Sequence, residues 1–249
     1  MGTLGLPPTV RGCLFDLDGV VTRTAAQHAR AWKQTFDTFL AEDAERRGVP
    51  FVPFTIEGDY IRYVDGRKRL DGTRAFLESR GIELPEGTPS DDAGTATVYG
   101  VSNAKNALVL HLIDTEGVEV FDDAVDYLHA LRDAGLPRAV VTSSANAQQV
   151  LKVTGLTDLF DLRVDAILAA EKGLAGKPAP DTFLAGAELL GLRPHQAAVF
   201  EDALSGVAAG RAGQFGLVVG VDRVGQGAEL KTAGADVVVK ALTDLLEDR

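Results

Sequence analysis

Short apolar runs alternate with stretches of helical periodicity at the start of this chain and again beyond Phe121. Apolar runs this short suit strands that are buried on both faces of a parallel sheet. Strands that alternate with helices imply an α/β fold whose crossovers are right-handed. The runs predict strands at residues 13–15, 138–141, 197–200, 216–221 and 235–239.

The stretches with a period near 3.6 residues predict helices. In the first of them Trp32, Phe36, Phe39 and Leu40 form an apolar stripe, and Thr24 is a candidate N-cap. A further helix opens near Asn146. The other predicted helices cover residues 25–47, 73–80, 103–113, 122–134, 180–190, 204–212 and 241–247.

Residues 51–98 lack this regular alternation. Residues 60–64 alternate like a strand, and Asp65-Gly66 is a typical hairpin-turn pair. Residues 83–98 are rich in Pro, Gly, Asp and Thr, which predicts a loop. We therefore expect this part of the chain to differ in architecture from the α/β part.

The composition is that of a globular, acidic protein. Of 249 residues 45% are hydrophobic and 24% charged, and 25 Lys and Arg stand against 36 Asp and Glu, a net charge of −11. This charge argues against a nucleic-acid or anionic-membrane partner, although a small phosphorylated ligand fits. A single cysteine, Cys13, forms no intramolecular disulfide and suits the cytoplasm. We find no signal-peptide core or membrane span, and we expect a monomer, with an oligomer as the open alternative.

Arg67, Lys68 and Arg69 form a local basic cluster within this acidic chain. One interpretation is a solvated turn. The other is a binding site for a second phosphate or another anionic group. The residues alone leave both interpretations open.

Asp16 and Asp18 end the first apolar run and are followed by Gly19. Asp-Gly pairs are ordinary turn formers, which is sufficient to explain Asp18. Asp16 points to the same side of the strand, where an unpartnered carboxylate would cost several kcal/mol if buried. A cation is the simplest partner for this pair.

Polar side chains also follow the other predicted strands or their loops. If the strands are neighbours in one sheet, these side chains converge on a single crevice. The set combines carboxylates for a hard divalent cation with hydroxyl groups and one ammonium, as phosphoryl transfer through a covalent carboxylate requires. Its members are Asp16, Asp18, Thr142, Ser143, Lys177, Glu201 and Asp202.

These positions lie in four motifs that occur in the order FDLDGVVT, VVTSS, GKPAPD and VFEDALSGVAAG. With them the chain resembles the haloacid dehalogenase superfamily of phosphotransferases, and within it the β-phosphoglucomutase-type branch. The resemblance implies a Rossmann-like parallel-sheet core, formed by residues 1–24 and 117–249. It also implies an inserted, mainly helical cap domain, residues 25–116, that closes over the substrate and excludes water.

By this resemblance Asp16 is the nucleophile that attacks phosphorus, and Asp18 is the general acid and base. One Mg²⁺ is expected, held by the Asp16 carboxylate, the Asp18 backbone carbonyl and Asp202. Glu201 is expected either as a further ligand or as an acceptor beside the ligands.

The same resemblance implies that Thr142 hydrogen-bonds the phosphoryl oxygens and that Lys177 neutralises their charge. Ser143 and Asn146, which follow Thr142, are expected to bind substrate.

Thr24, His28 and Trp32 are spaced four apart and share one helix face. They match the hinge and first cap helix of the branch, which implies that His28 orients Asp18 and that Thr24 and Trp32 line the sugar site. The alternative is that His28 has no role in catalysis and simply packs beside Trp32 with its hydrogen bonds satisfied.

The chain departs from the branch at Asn103. The branch carries the motif GVSR, in which the arginine grips the distal phosphate, and this chain has GVSN. Lys105, or Arg67 with Arg69, could replace that arginine.

The leading expectation is a Mg²⁺-dependent phosphotransferase that converts β-glucose 1-phosphate to glucose 6-phosphate through a bisphosphate. In the first alternative water takes the phosphoryl group, which makes the protein a small-molecule phosphatase. The second alternative is a non-catalytic binding protein of the same fold, against which the intact acid pair argues.

Overall fold

The structure, a computed structural model, describes residues 4–246. The chain forms two compact units. The first consists of the chain up to Arg23 and from Val118 onward, and the second is Thr24–Gly117.

A six-stranded parallel sheet forms the centre of the first unit, which confirms the predicted α/β fold. The strand order is β3-β2-β1-β4-β5-β6, so β1 lies between β2 and β4. The strands are β1 Gly12–Phe15, β2 Arg138–Val141, β3 Leu162–Val164, β4 Ala197–Glu201, β5 Leu217–Val221 and β6 Val237–Val239.

Helices follow or precede each strand, and in the first unit the predicted helices, except that at 241–247, agree with the observed ones to within a few residues. The α-helices are α1 Thr24–Arg47, α2 Arg69–Ser79, α3 Val98–Glu116, α4 Asp122–Asp133, α5 Ala147–Val153, α6 Ala166–Glu171, α7 Asp181–Leu189, α8 Leu204–Ala212 and α9 Gly227–Ala233. Among the described residues, no helix has both the length and the apolar character that crossing a membrane requires.

Several elements of the first unit differ from the prediction. Strand β3 and helices α6 and α9 were not predicted, because each is short and β3 carries Arg163 at its centre. The predicted helix at 241–247 is instead a 3₁₀ turn, Leu242–Leu245, and residue 247 lies outside the described residues.

The core of the first unit is the sheet with its covering helices. Leu14, Val141 and Val199 pack with Phe183 of α7 and Val207 of α8, and all five are fully buried. Because helices cover both faces of the sheet, polar side chains of the central strands are expected at the strand ends.

The second unit is mainly helical and has its own aromatic core. The predicted stripe of α1 is buried there, and Phe36 packs at ring-centroid distances of 4.2 Å from Phe76 and 5.0 Å from Phe54. Thr24 is the first residue of α1 rather than a residue that precedes the helix.

The predicted strand at 60–64 is wrong, because a π-helical segment, Ile56–Val64, occupies this position. Thr55 Oγ1 accepts a hydrogen bond from the Asp59 amide at 3.1 Å, and the Asp59 carboxylate accepts one from the Thr55 amide at 2.9 Å. Such reciprocal capping begins a helix. Asp65-Gly66 is accordingly a turn between two helical segments and not a hairpin.

Helix α3 begins five residues earlier than the predicted start at 103. Thr97 Oγ1 accepts a hydrogen bond from the Gly100 amide at 2.9 Å and caps the helix. Asn103 therefore lies within α3, where its side-chain amide donates to the backbone carbonyls of Pro89 and Asp91. It serves to hold the preceding loop.

Candidate active site

The order of the strands brings three of the predicted polar positions to neighbouring strand ends. In the register, Phe15 lies opposite Val140 of β2 and Phe200 of β4, so Asp16 follows β1 beside the ends of both. The Asp16 amide donates to the Phe200 carbonyl at 2.9 Å. The strand order reverses between β1 and β4, and such a switch point is where open α/β sheets form their binding crevice.

Lys177 is the centre of the site. Its Nζ atom donates to Asp16 Oδ1 at 2.5 Å, to Glu201 Oε1 at 2.6 Å and to the Val141 carbonyl at 3.1 Å. These three acceptors use all the donors of an ammonium group. The side chains of Lys177, Asp16 and Glu201 are all buried, with exposed fractions of 1%, 8% and 0%.

The charges of Lys177, Asp16 and Glu201 determine the protonation states of Lys177 and Asp16. Burial alone would lower the pKa of Lys177, but the carboxylates of Asp16 and Glu201 outweigh it and raise that pKa above its ordinary value. Burial raises the pKa of the Asp16 carboxyl well above its usual range, and the positive charge of Lys177 opposes the rise. Lys177 is therefore protonated, and further positive charge would favour the ionised form of Asp16.

Asp16, Glu201 and Asp202 each offer a carboxylate oxygen, and these three atoms lie within 4.8 Å of one another. With Asp16 ionised, these three carboxylates and the one ammonium of Lys177 carry a net charge of −2 among the four side chains. Oxygen donors with this charge fit a hard divalent cation. The acidic cluster predicted from the motifs is thus present.

Glu201 is held on both of its oxygens. Besides accepting from Lys177, it accepts a hydrogen bond from the Ala203 amide at 2.9 Å through Oε2. Its carboxylate also lies against Gly206 of α8, where a Cβ atom would come within 1.7 Å of Glu201 Oε1. Glycine at this position makes room for the buried acid.

Gly206→Ala is expected to reduce the free energy of unfolding by about 1–3 kcal/mol, because the new methyl group displaces Glu201 from its hydrogen bonds. Chemical denaturation of the wild type, Gly206→Ala, Glu201→Asp and the double variant measures this. Since aspartate is one methylene shorter, the double variant should lose less than the sum of the two single losses. Additive losses would contradict the proposed clash.

The turn after β1 brings Asp18 and Asp202 to the same part of the site. Gly19 has a φ of 92°, and a Cβ atom there would lie 1.8 Å from Asp202 Oδ2. The Gly19 amide donates to the Thr22 carbonyl at 2.7 Å, which closes the turn. Glycine is required here both for its backbone conformation and for the approach of the Asp202 carboxylate.

Thr142 is buried at the end of β2, where its amide donates to the Val164 carbonyl at 2.9 Å. Its hydroxyl accepts a hydrogen bond from the Ser144 amide at 3.1 Å, and the Ser144 hydroxyl accepts one from the Asn146 amide at 3.1 Å. These contacts shape the Thr142–Asn146 loop, which contains Ser143. Because Lys177 bonds the carbonyl of Val141, this loop is tied directly to the carboxylate cluster.

The remaining predicted site residues lie in the second unit. Lys105 is 3% exposed, and its Nζ atom lies 2.9 Å from His28 Nδ1 and 5.1 Å from the Trp32 ring centroid. With the ammonium as donor, Nδ1 of His28 accepts and Nε2 carries the proton of the neutral ring. Thr24 is fully buried at the start of α1.

The basic cluster of the second unit is not a fully solvated turn, since Arg67, Lys68 and Arg69 are all partly buried. Burial lowers the pKa of the Arg69 guanidinium. Among the described residues, the buried Nε of Arg69 has no hydrogen-bond partner.

A family model described as haloacid dehalogenase-like hydrolase matches residues 10–214. The chain belongs to this family. It is 56% identical over 246 residues to a β-phosphoglucomutase of Mycobacterium bovis, which covers 98% of this chain and 94% of the relative. It is also 29% identical over 204 residues to hexitol phosphatase A of Escherichia coli, with 81% and 79% covered.

Solved structures with this fold include β-phosphoglucomutase from Clostridium difficile. The TM-score is 0.71 at 25% sequence identity, and the match covers 95% of this chain and 93% of that one. The chain is therefore an enzyme of the haloacid dehalogenase-like family, related to both mutases and phosphatases.

Sequence reasoning missed some residues that shape the site of this family member. The spacing of Gly206 from Glu201 within VFEDALSGVAAG could have indicated the close approach at that glycine. Arg223 and Gln226, in the loop after β5, carry no motif that could have indicated their contacts with the site.

Proposed function

We propose that this enzyme transfers a phosphoryl group on a sugar phosphate through an aspartyl phosphate on Asp16, and that its reaction is that of a β-phosphoglucomutase. The observation that carries the proposal is Lys177, which bridges Asp16 and Glu201 beside Asp202. The high identity to the mycobacterial β-phosphoglucomutase supports the substrate class.

In the first half-reaction an Asp16 carboxylate oxygen attacks phosphorus, and the bond from phosphorus to the leaving oxygen breaks. Asp18 gives its proton to that oxygen. In the second half-reaction Asp18 takes a proton from the incoming hydroxyl, whose oxygen attacks the phosphorus and releases the Asp16 carboxylate. Asp16 is then free and Asp18 is protonated again, so the enzyme returns to its starting state.

The carboxylates of Asp16 and Asp202 and the backbone carbonyl of Asp18 would hold one Mg²⁺. When bound, the ion supplies positive charge beside the phosphoryl oxygens. Glu201 has both oxygens engaged by Lys177 and Ala203, which favours its role as an acceptor that holds Lys177 over a role as ligand.

Lys177 acts in this proposal chiefly as a fixed positive charge, because its three donors are already used inside the protein. Thr142 supplies a hydroxyl to the phosphoryl oxygens, and Ser143 and Asn146 contact the substrate. Electrostatic groups of this kind are each worth about 3–4 kcal/mol of transition-state stabilisation.

We further propose that the second unit is the substrate-covering cap, with His28 orienting Asp18 and with Thr24 and Trp32 beside the sugar. Lys105 is buried against His28, which favours a role in holding that ring over a role in phosphate binding. Arg69, whose Nε is buried without a partner among the described residues, is the better candidate for the distal phosphate, with Arg67 beside it.

Wild-type protein with Mg²⁺, β-glucose 1-phosphate and a trace of the 1,6-bisphosphate is expected to yield glucose 6-phosphate rather than free phosphate. A mutase must bind the bisphosphate in both orientations, so loss of the distal anion site should favour hydrolysis. Arg69→Met is therefore expected to lower the ratio of glucose 6-phosphate to free phosphate by about tenfold. Coupled assays of the two products measure the ratio.

Arg62→Met serves as the control, since Arg62 is exposed on the same unit. If the wild type releases mainly free phosphate, the protein is a phosphatase. An unchanged product ratio in Arg69→Met would instead contradict only the role given to Arg69.

Cys13 is a buried free thiol, which supports a reducing compartment such as the cytoplasm. We propose a monomer that acts on a small sugar phosphate, and analytical ultracentrifugation would detect an oligomer.

A further inference from the structure

The loop between β5 and α9, residues 222–226, reaches the backbones of two separate turns of the site. Arg223 Nη2 donates to the Val20 carbonyl at 3.2 Å. Gln226 Nε2 donates to the Asp202 carbonyl at 2.8 Å. One loop thus contacts both the turn that carries Asp18 and the turn that carries Asp202.

Arg223 is fixed at several points. Its guanidinium forms two hydrogen bonds with the Asp123 carboxylate, at 3.1 and 2.9 Å, and a third with the Lys240 carbonyl at 2.9 Å. It also stacks 3.8 Å from the Phe121 ring centroid. The side chain is only 12% exposed. A planar, bidentate and stacked guanidinium has little freedom to move, so Nη2 presents its second N–H to Val20 in one orientation.

The loop itself is braced at its start. Asp222 Oδ1 accepts hydrogen bonds from the amides of Gly225 at 2.6 Å and Gln226 at 2.8 Å. The Asp222 amide donates to the Val239 carbonyl at 2.7 Å, which ties the loop to β6. The backbone amide of Gln226 is therefore fixed by Asp222, while its side-chain amide donates to the Asp202 carbonyl.

The two turns must keep a fixed separation, because the Asp202 carboxylate lies directly against Gly19. Val20 is two residues beyond Asp18, so a shift of its carbonyl changes the path of the turn that carries the acid. A displacement of about 1 Å in a reacting group can cost about 10²-fold in rate. Outer hydrogen bonds to metal ligands typically affect metal affinity about 10–100-fold.

We propose that Arg223 and Gln226 are positioning residues, of which Arg223 fixes the Asp18 turn and Gln226 fixes the Asp202 turn. This inference rests on the proposed phosphoryl-transfer function. Neither residue contacts the reacting atoms in this mechanism. Arg223 acts chiefly on the position of the acid and base Asp18, and Gln226 acts chiefly on Mg²⁺ binding, which makes their roles separable.

The test compares Arg223→Gln and Gln226→Met with Arg211→Gln, whose arginine side chain is 70% exposed. Arg223→Gln is expected to lower kcat about tenfold with KM within twofold of wild type. It should raise the Kd for Mg²⁺ at most about threefold, because the Asp18 carbonyl is only one of the three proposed ligands. Gln226→Met is expected to raise the Kd for Mg²⁺, measured by calorimetry with Mg²⁺ alone, about tenfold. Its kcat at saturating Mg²⁺ should stay within twofold. Arg223→Lys should recover part of the loss in kcat.

Thermal unfolding identifies variants that fail to fold. If Arg223→Gln is one of them, Asp123→Asn replaces it, because this milder change weakens the hydrogen bonds that hold the Arg223 guanidinium. The inference would be overturned if Arg223→Gln weakened Mg²⁺ binding as much as Gln226→Met does, or if neither folded variant changed kcat or the Kd for Mg²⁺. If the wild type transfers no phosphoryl group, the proposed function fails, while the Mg²⁺ titration of Gln226→Met still tests the positioning of Asp202.

Discussion

Asp16→Asn is expected to reduce phosphoryl transfer by about 10⁴-fold or more, since the amide keeps the size of the side chain but removes the nucleophile. The fold should remain intact. Burial already raises the pKa of Asp16, so an uncharged side chain is compatible with this position, although Lys177 loses one of its two carboxylate partners. Steady-state kinetics and circular dichroism measure the two effects.

The covalent step can be tested directly. Acid-quenched wild-type protein is expected to carry one phosphoryl group in mass spectra after exposure to substrate, and Asp16→Asn is expected to carry none. Asp158→Asn, an exposed acid outside the site, is the control and should behave as wild type. Substantial turnover by Asp16→Asn would exclude the aspartyl phosphate.

The strands of the sheet and the polar residues at their ends were predictable from the sequence because both depend on local features. A buried parallel strand needs a continuous apolar run, and a polar residue directly after that run must lie at the carboxyl end of the strand. Asp16, Thr142 and Glu201 satisfy this rule. The adjacency of β1, β2 and β4, which brings them together, was a condition of the prediction, and the strand order of the structure meets it.

The helical start at Ile56 was hidden by the alternation of residues 60–64. Five residues are too few to separate a period of 2 from a helical one, and the capping pair Thr55 and Asp59 was the better signal. By contrast, the aromatic residues of α1 were assigned correctly, because their apolar stripe is long enough to define a helical period.

The contacts of Arg223 could not be predicted, because its partner Val20 is 203 positions away in the chain. Such a pairing depends on the relative position of two loops after the sheet has formed. The bridging of Asp16 and Glu201 by Lys177 has the same character, since charge and motif indicate that an ammonium is present but not which acceptors it satisfies.

Lys177→Met is expected to affect both stability and activity. Methionine fills a similar volume but leaves the buried carboxylates of Asp16 and Glu201 without their cation, which should reduce the free energy of unfolding by about 3–5 kcal/mol. The loss of positive charge should also lower kcat by about 10²–10³-fold. Urea denaturation and steady-state kinetics measure these changes, with the exposed Lys172→Met as the control.

The double variant Lys177→Met/Glu201→Gln separates the two roles of the ammonium. Glutamine removes one of the two unpaired buried charges, so the double variant should regain part of the lost stability. Its activity should stay low, because neither substitution restores positive charge beside Asp16. If the free energy of unfolding of Lys177→Met lies within about 1 kcal/mol of the wild-type value, Lys177 does not hold the two carboxylates together. If the double variant recovers activity, Lys177 has no role in the catalytic chemistry.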